Sequence, residues 1–165
     1  MKKIFLSILT LAFVFNCSNN STSSVPSEDD TATFNKNVEA WKQAISGFTS
    51  EEPSKVMSIF ADSLKWNNPE ALMNVTKTKE DLTAAVNFYI STFDNITFTE
   101  DEYYGGSLYS TDETSSSPNG IRIYGNWTFN DPETGVEVSY KWMGVAAFND
   151  DGKVHNFADW FDVSS

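Results

Sequence analysis

The strongest constraint on this chain is a single change of hydrophobic period. Apart from a short interruption near residue 65, apolar side chains recur every three or four positions up to Phe93, and from Ile96 onward they recur every second position. The first spacing lays one stripe along a helix and the second lays one face along a strand, so helices come first and strands follow. Phe34, Val38, Trp41, Ile45 and Phe48 predict a first helix ending near Gly47. Ser50-Glu51-Glu52-Pro53 predicts the capped, acid-rich start of a short second helix carrying Val56, Ile59 and Phe60. Leu64 and Trp66 alternate with polar neighbours and predict a short strand, stopped by Asn67, Asn68 and Pro69. Thr78 and Asp81 have capping-box spacing ahead of a third helix that holds Leu82, Val86 and Tyr89 and runs to about Thr92. Strands are then expected at Ile96 and Phe98, over 121–129, over 136–148 and over 154–163. Asn130 to Gly135 and Asn149 to Gly152 read as hairpin turns, and residues 110–119 as a long surface loop. That order predicts an α+β fold in which three N-terminal helices pack on a curved, mostly antiparallel sheet enclosing a pocket.

Ahead of this domain lie Lys2, Lys3, an apolar run over 4–15 and Cys17, the one cysteine of the chain. The run is shorter than the about 20 residues a membrane-spanning helix needs, so it reads as an export signal. Val14-Phe15-Asn16-Cys17 resembles a bacterial lipoprotein signal, which implies cleavage after residue 16 and a lipid on Cys17. An ordinary cleaved signal that leaves a free thiol is the alternative. Residues 18–33 are rich in Ser, Thr and Asn and read as a tether. Ser18 behind the cysteine resembles the choice that sends lipoproteins to an outer membrane. The expected organisation is therefore a signal peptide over 1–16, a lipidated cysteine and tether over 17–33, and a folded domain over 34–165, held in the bacterial cell envelope. Cleavage would remove two lysines and no acid, taking the formal charge from −12 to −14. So acidic a surface repels phosphate polyanions and excludes nucleic acid as a partner.

The order of elements, with Phe60-Ala61-Asp62 before the first strand and Asp151-Gly152-Lys153-Val154 before the last, resembles the NTF2-like superfamily and within it the SnoaL-like branch. The resemblance implies a cone-shaped domain over about 34–163 and a homodimer. That scaffold carries isomerases, cyclases, dehydratases, ligand binders and dimerisation modules, so it fixes fold more firmly than function. Its steroid-isomerase branch places a general-base aspartate where Asn68 stands here, and an amide cannot take up the proton. The oxyanion-donating tyrosine of that branch falls near Trp41. The polyketide-cyclase branch carries an acid/base aspartate on its last strand, and Asp159 matches that place.

Strand parity puts His155, Phe157, Asp159 and Phe161 on one face, so Asp159 lies among aromatics able to raise its pKa. His155 and Asp159 are no dyad, because four residues of strand span about 13 Å. The bland alternatives are an exposed histidine and a carboxylate bonded to a backbone amide. Val136, Val138, Tyr140 and Trp142 share a face expected to line the pocket with Leu64 and Trp66. The expected ligand-binding lining is Trp66, Asn68, Tyr89, Tyr140, Trp142 and Phe157, with Asp159 as the catalytic candidate, and it suits an apolar, ring-bearing small molecule with one or two polar handles. The same aromatics are equally the pattern of a plain core. Met143, Val145 and Ala147 make the outer face of the long strand apolar and are expected to meet a second copy of the chain or the 110–119 loop. Glu100-Asp101-Glu102, Asp112-Glu113 and Asp150-Asp151 lack calcium-loop spacing and read as solvated turns. One histidine and one cysteine are too few for a zinc or copper site, and neither a phosphate-cradling glycine loop nor a serine-nucleophile motif is present. No cofactor is expected. A cofactor-independent lyase, cyclase or isomerase and an interaction module with a filled interior remain the rival readings.

Overall fold

The computed structural model describes residues 27–68, 75–106 and 118–162. The expected signal peptide, Cys17 with most of its tether, Pro69, Val163 and most of the 110–119 loop lie outside the described residues. The elements run α1 (Glu28–Thr49), α2 (Pro53–Met57), β1 (Phe60–Asn67), α3 (Lys79–Thr92), β2 (Asp94–Gly105), β3 (Gly120–Asn130), β4 (Glu137–Phe148) and β5 (Val154–Phe161). The strands form one five-stranded sheet in the order β1-β5-β4-β3-β2, antiparallel except where β1 runs parallel to β5. This is the expected α+β arrangement of helices on a mostly antiparallel sheet. No helix among the described residues is long and apolar enough to cross a membrane.

α1 starts earlier than its apolar stripe predicts. The Ser27 hydroxyl accepts from the Asp30 N–H at 3.0 Å and the Asp30 carboxylate accepts from the Ser27 N–H at 3.1 Å, a closed capping box. Glu28, Asp29 and Asp30, expected in the tether, therefore occupy the first turn, where they complement the helix dipole. Gly47 is buried inside the helix and not at its end. A Cβ there would lie 2.8 Å from the Val56 nitrogen and 2.9 Å from the Lys55 Cβ, so glycine lets α2 rest directly on α1. Ser50 closes α1, its hydroxyl within 2.7 Å of the Ser46 carbonyl, and no side-chain bond caps α2. Pro53 opens α2 at the position where its missing N–H costs nothing. α2 stops at Met57, and Phe60, expected on that helix, instead opens β1 opposite Val154.

The cap of α3 is as expected, with Thr78 and Asp81 bonded reciprocally. β2 is longer than the sequence suggests. Glu100-Asp101-Glu102 lie within it and not in a turn, where the register slips between Thr99 and Glu102 and Glu100 adopts φ of 55°. That bulge lets three exposed acids pass while Ile96 and Phe98 before it and Tyr103 after it all pack toward the core. Both hairpins turn on an Asx side chain and a glycine with φ of 70°: Asp131 with Gly135, and Asn149 with Gly152. The core runs between α1, α3 and the inner face of the sheet, with Ile121, Ile123, Val154 and Ala146 fully enclosed. Along β4 the inner positions are Tyr140, Trp142, Gly144, Ala146 and Phe148, while Met143, Val145 and Ala147 face outward as expected.

Candidate functional site

The helices do not fill the space above the sheet. A cavity of about 500 Å³ remains, walled by α1 with Trp41 and Phe48, by α3 with Leu82, Ala85 and Tyr89, and by the sheet with Trp127, Phe129 and Tyr140. Trp66, Asn68, Tyr89, Tyr140, Trp142, Phe157 and Asp159, the residues singled out from the sequence, all border it. Leu64 is buried in the core and is not among the bordering residues. Val136 precedes β4 and is exposed, and Val138 also stays away from the cavity wall. His155 does not share the inner face with Phe157 and Asp159. The register slips where Phe148 pairs with Val154 and Ala147 with Asn156, so the intervening His155 is bulged out to solvent.

Asp159 is the chemical centre of this wall. Its register partner across β4 is Gly144. With no side chain at Gly144, the Trp142 ring folds flat over that position, and a Cβ there would collide with the ring edge. In this pose the Trp142 indole N–H donates to Asp159 Oδ2 at 3.2 Å. From the other flank the Trp66 indole N–H donates to Oδ1 at 2.9 Å. Burial pushes the Asp159 carboxyl up from its ordinary pKa, and the two indole bonds partly offset that rise. Each carboxylate oxygen accepts one indole N–H and retains capacity for another bond, and the residue borders the hollow, so the group can accept a proton or a hydrogen bond from a molecule inside.

The bland alternative, a hydrogen bond from a backbone amide, is not found for Asp159 among the described residues; two indole N–H groups hold the carboxylate instead. β1 and β5 are in register at Trp66 with Phe157 and at Asn67 with Ala158, and Asn68 follows where β1 ends. Asn68 is only 8% exposed and its Oδ1 has no hydrogen-bond partner among the described residues. The indole N–H of Trp41, 5% exposed, is likewise unmet. Desolvation first, then the neighbouring Tyr89 and Asp159, push the Tyr140 hydroxyl well above its usual pKa, so it is a neutral donor at any working pH. Among the bordering residues that escaped the sequence reading are Trp127, whose period-two position could have marked it, and Phe88, 58% exposed at the border although it belongs to α3.

No family model matches the chain, and no curated protein matches its sequence. Solved structures of the same architecture do match. An NTF2-like protein of unknown function from Burkholderia pseudomallei aligns with 77% of this chain and 91% of its own at 17% identity, with a TM-score of 0.59. A Δ5-3-ketosteroid isomerase from a Mycobacterium species aligns with 77% of this chain and 93% of its own at 16% identity and a TM-score of 0.61. A candidate polyketide cyclase from Xanthomonas campestris covers 79% of this chain and 93% of its own at 4% identity and a TM-score of 0.64. At such identities the likeness establishes the NTF2-like fold, and the chemistry has to come from the residues themselves.

Proposed function

We propose that this NTF2-like chain, of the SnoaL-like kind, binds a small hydrophobic molecule in the cavity between its helices and sheet, and does so as a lipid-anchored protein of the bacterial envelope. The observation that carries the binding is an unfilled, largely aromatic hollow of about 500 Å³ bordered by the Asp159 carboxylate. An interior closed by its own side chains would suit an interaction module, and the space beside Asp159 and Trp66 argues against that. Anchoring rests on the sequence around Cys17. Association of two copies through the outer face of the sheet is supported by Met143 and its register partner Trp160, 42% exposed there. Protein purified from its own envelope should carry an organic molecule of small mass in native mass spectrometry, released on denaturation. A bare polypeptide mass in every preparation would contradict the binding.

Asp159 favours a second reading, acid/base catalysis on the bound molecule without a cofactor. Asn68 occupies the place of the isomerase base and supplies no proton acceptor, so Asp159 would carry the proton and Asn68 would orient the substrate. The electrostatic premise is testable by pH alone. With its folded pKa raised above the ordinary 3.8, Asp159 holds its proton more tightly folded than unfolded, so its contribution to stability falls as pH rises above about 3.8 and through the folded value. Asp159→Asn, which cannot ionise, should therefore gain stability relative to the native protein between pH 3 and pH 7. Urea unfolding at both pH values checks this, and a pH-independent difference would return Asp159 to ordinary behaviour and remove the acid/base reading.

A further inference from the structure

The site holds a carboxylate with no cation to answer it. Among the described residues, no lysine or arginine forms an ion pair with Asp159. Lys77 borders the cavity, but its ammonium lies over the Trp66 ring, 5.4 Å from the centroid, and the donors on the Asp159 carboxylate are two neutral indole N–H groups. Asp81 also borders the cavity, with its carboxylate engaged in the cap of α3. A desolvated carboxylate held by two neutral indole donors is a receptor for a donor-rich positive head. Rings of Trp66, Trp142, Tyr140 and Phe161 surround that corner, and aromatic surroundings favour a cation further. The chain as a whole carries a formal charge of −12, which concentrates cations near its surface.

We infer that the ligand is a ring-bearing primary or secondary amine, whose ammonium hydrogen-bonds to Asp159 while its apolar body lies among the rings deeper in the cavity. The two indole donors on Asp159 favour the ionised carboxylate that such a head requires. An anionic head is disfavoured by repulsion from Asp159. The inference rests on the cavity being the binding site, and its test separates the two.

Three probes that share a phenol ring and differ in the head suffice: tyramine, 4-ethylphenol and 3-(4-hydroxyphenyl)propanoate. Calorimetric titration of the intact protein at pH 7.5 should show tyramine bound about tenfold or more tighter than 4-ethylphenol, and the propanoate weaker than both. Asp159→Asn should abolish the preference for tyramine while 4-ethylphenol still binds. If 4-ethylphenol or the propanoate binds as tightly as tyramine, or the preference survives Asp159→Asn, the amine assignment is overturned and the cavity remains a binding site. If none of the three binds, both fall.

Discussion

Replacing Trp142 with alanine is expected to lower the free energy of unfolding by about 3–5 kcal/mol, the largest loss from any single truncation in this chain. The reason is the number of partners its ring serves. It stacks on Trp41 with centroids 6.3 Å apart and planes inclined by 20°, meets Phe98 edge-on at 5.8 Å and Trp127 at 6.4 Å, and packs against Phe157 at 6.3 Å. One ring thus ties α1 to β2, β3 and β5. Its N–H also holds Asp159, so truncation enlarges the cavity and leaves a buried carboxylate with one donor in place of two. Trp142→Phe separates the two roles, because it keeps most of the packing and removes the donor. Urea unfolding of the three proteins should place phenylalanine between tryptophan and alanine; a loss below 1 kcal/mol for alanine would mean the ring is not the hub described.

Gly144→Val should destabilise by about 1–3 kcal/mol through overpacking and at the same time disconnect Trp142 from Asp159. The sign is informative, since valine is favoured over glycine in strands and would stabilise an unencumbered position. Here the added carbon collides with the Trp142 ring. Gly125 stands in the same relation to Phe98. Lower stability together with a lost or displaced Trp142 indole N–H resonance would match the clamp; a gain in stability would show that the ring does not depend on that glycine.

The fold was legible where one chemical rule acts locally. A period of two has no slack, so alternation along β3 and β4 sorted inner from outer side chains correctly over both strands. The Thr78 and Asp81 cap and the two Asx-glycine turns need only near neighbours in sequence, and they too read directly. Ser27 and Asp30 obey the same capping rule, yet they sit in a polar run whose composition resembles a tether, and the apolar stripe that would have announced the helix begins only at Phe34. Bulges defeated the reading elsewhere. Parity carried past an inserted residue assigned His155 to the wrong face, and the acids of β2 looked like a turn because charges were expected only outside strands. Around the cavity, Tyr140, Trp142, Phe157 and Asp159 could be grouped by parity alone. The clamp on Asp159 could not, because it depends on Gly144 lying opposite Asp159 and on β1 closing parallel to β5, pairings that join residues 17 and 93 positions apart.

The most direct measurement is the indole region of the amide spectrum of 15N-labelled protein, titrated with 4-ethylphenol. The chain has five tryptophans, of which Trp41, Trp66, Trp127 and Trp142 border the cavity and Trp160 lies half-exposed on the opposite face. A molecule entering the hollow should move the four cavity signals saturably, with Trp41 and Trp66 among them, and leave Trp160 in place. Four unmoved cavity indoles, or a shift confined to Trp160, would contradict the cavity as a binding site.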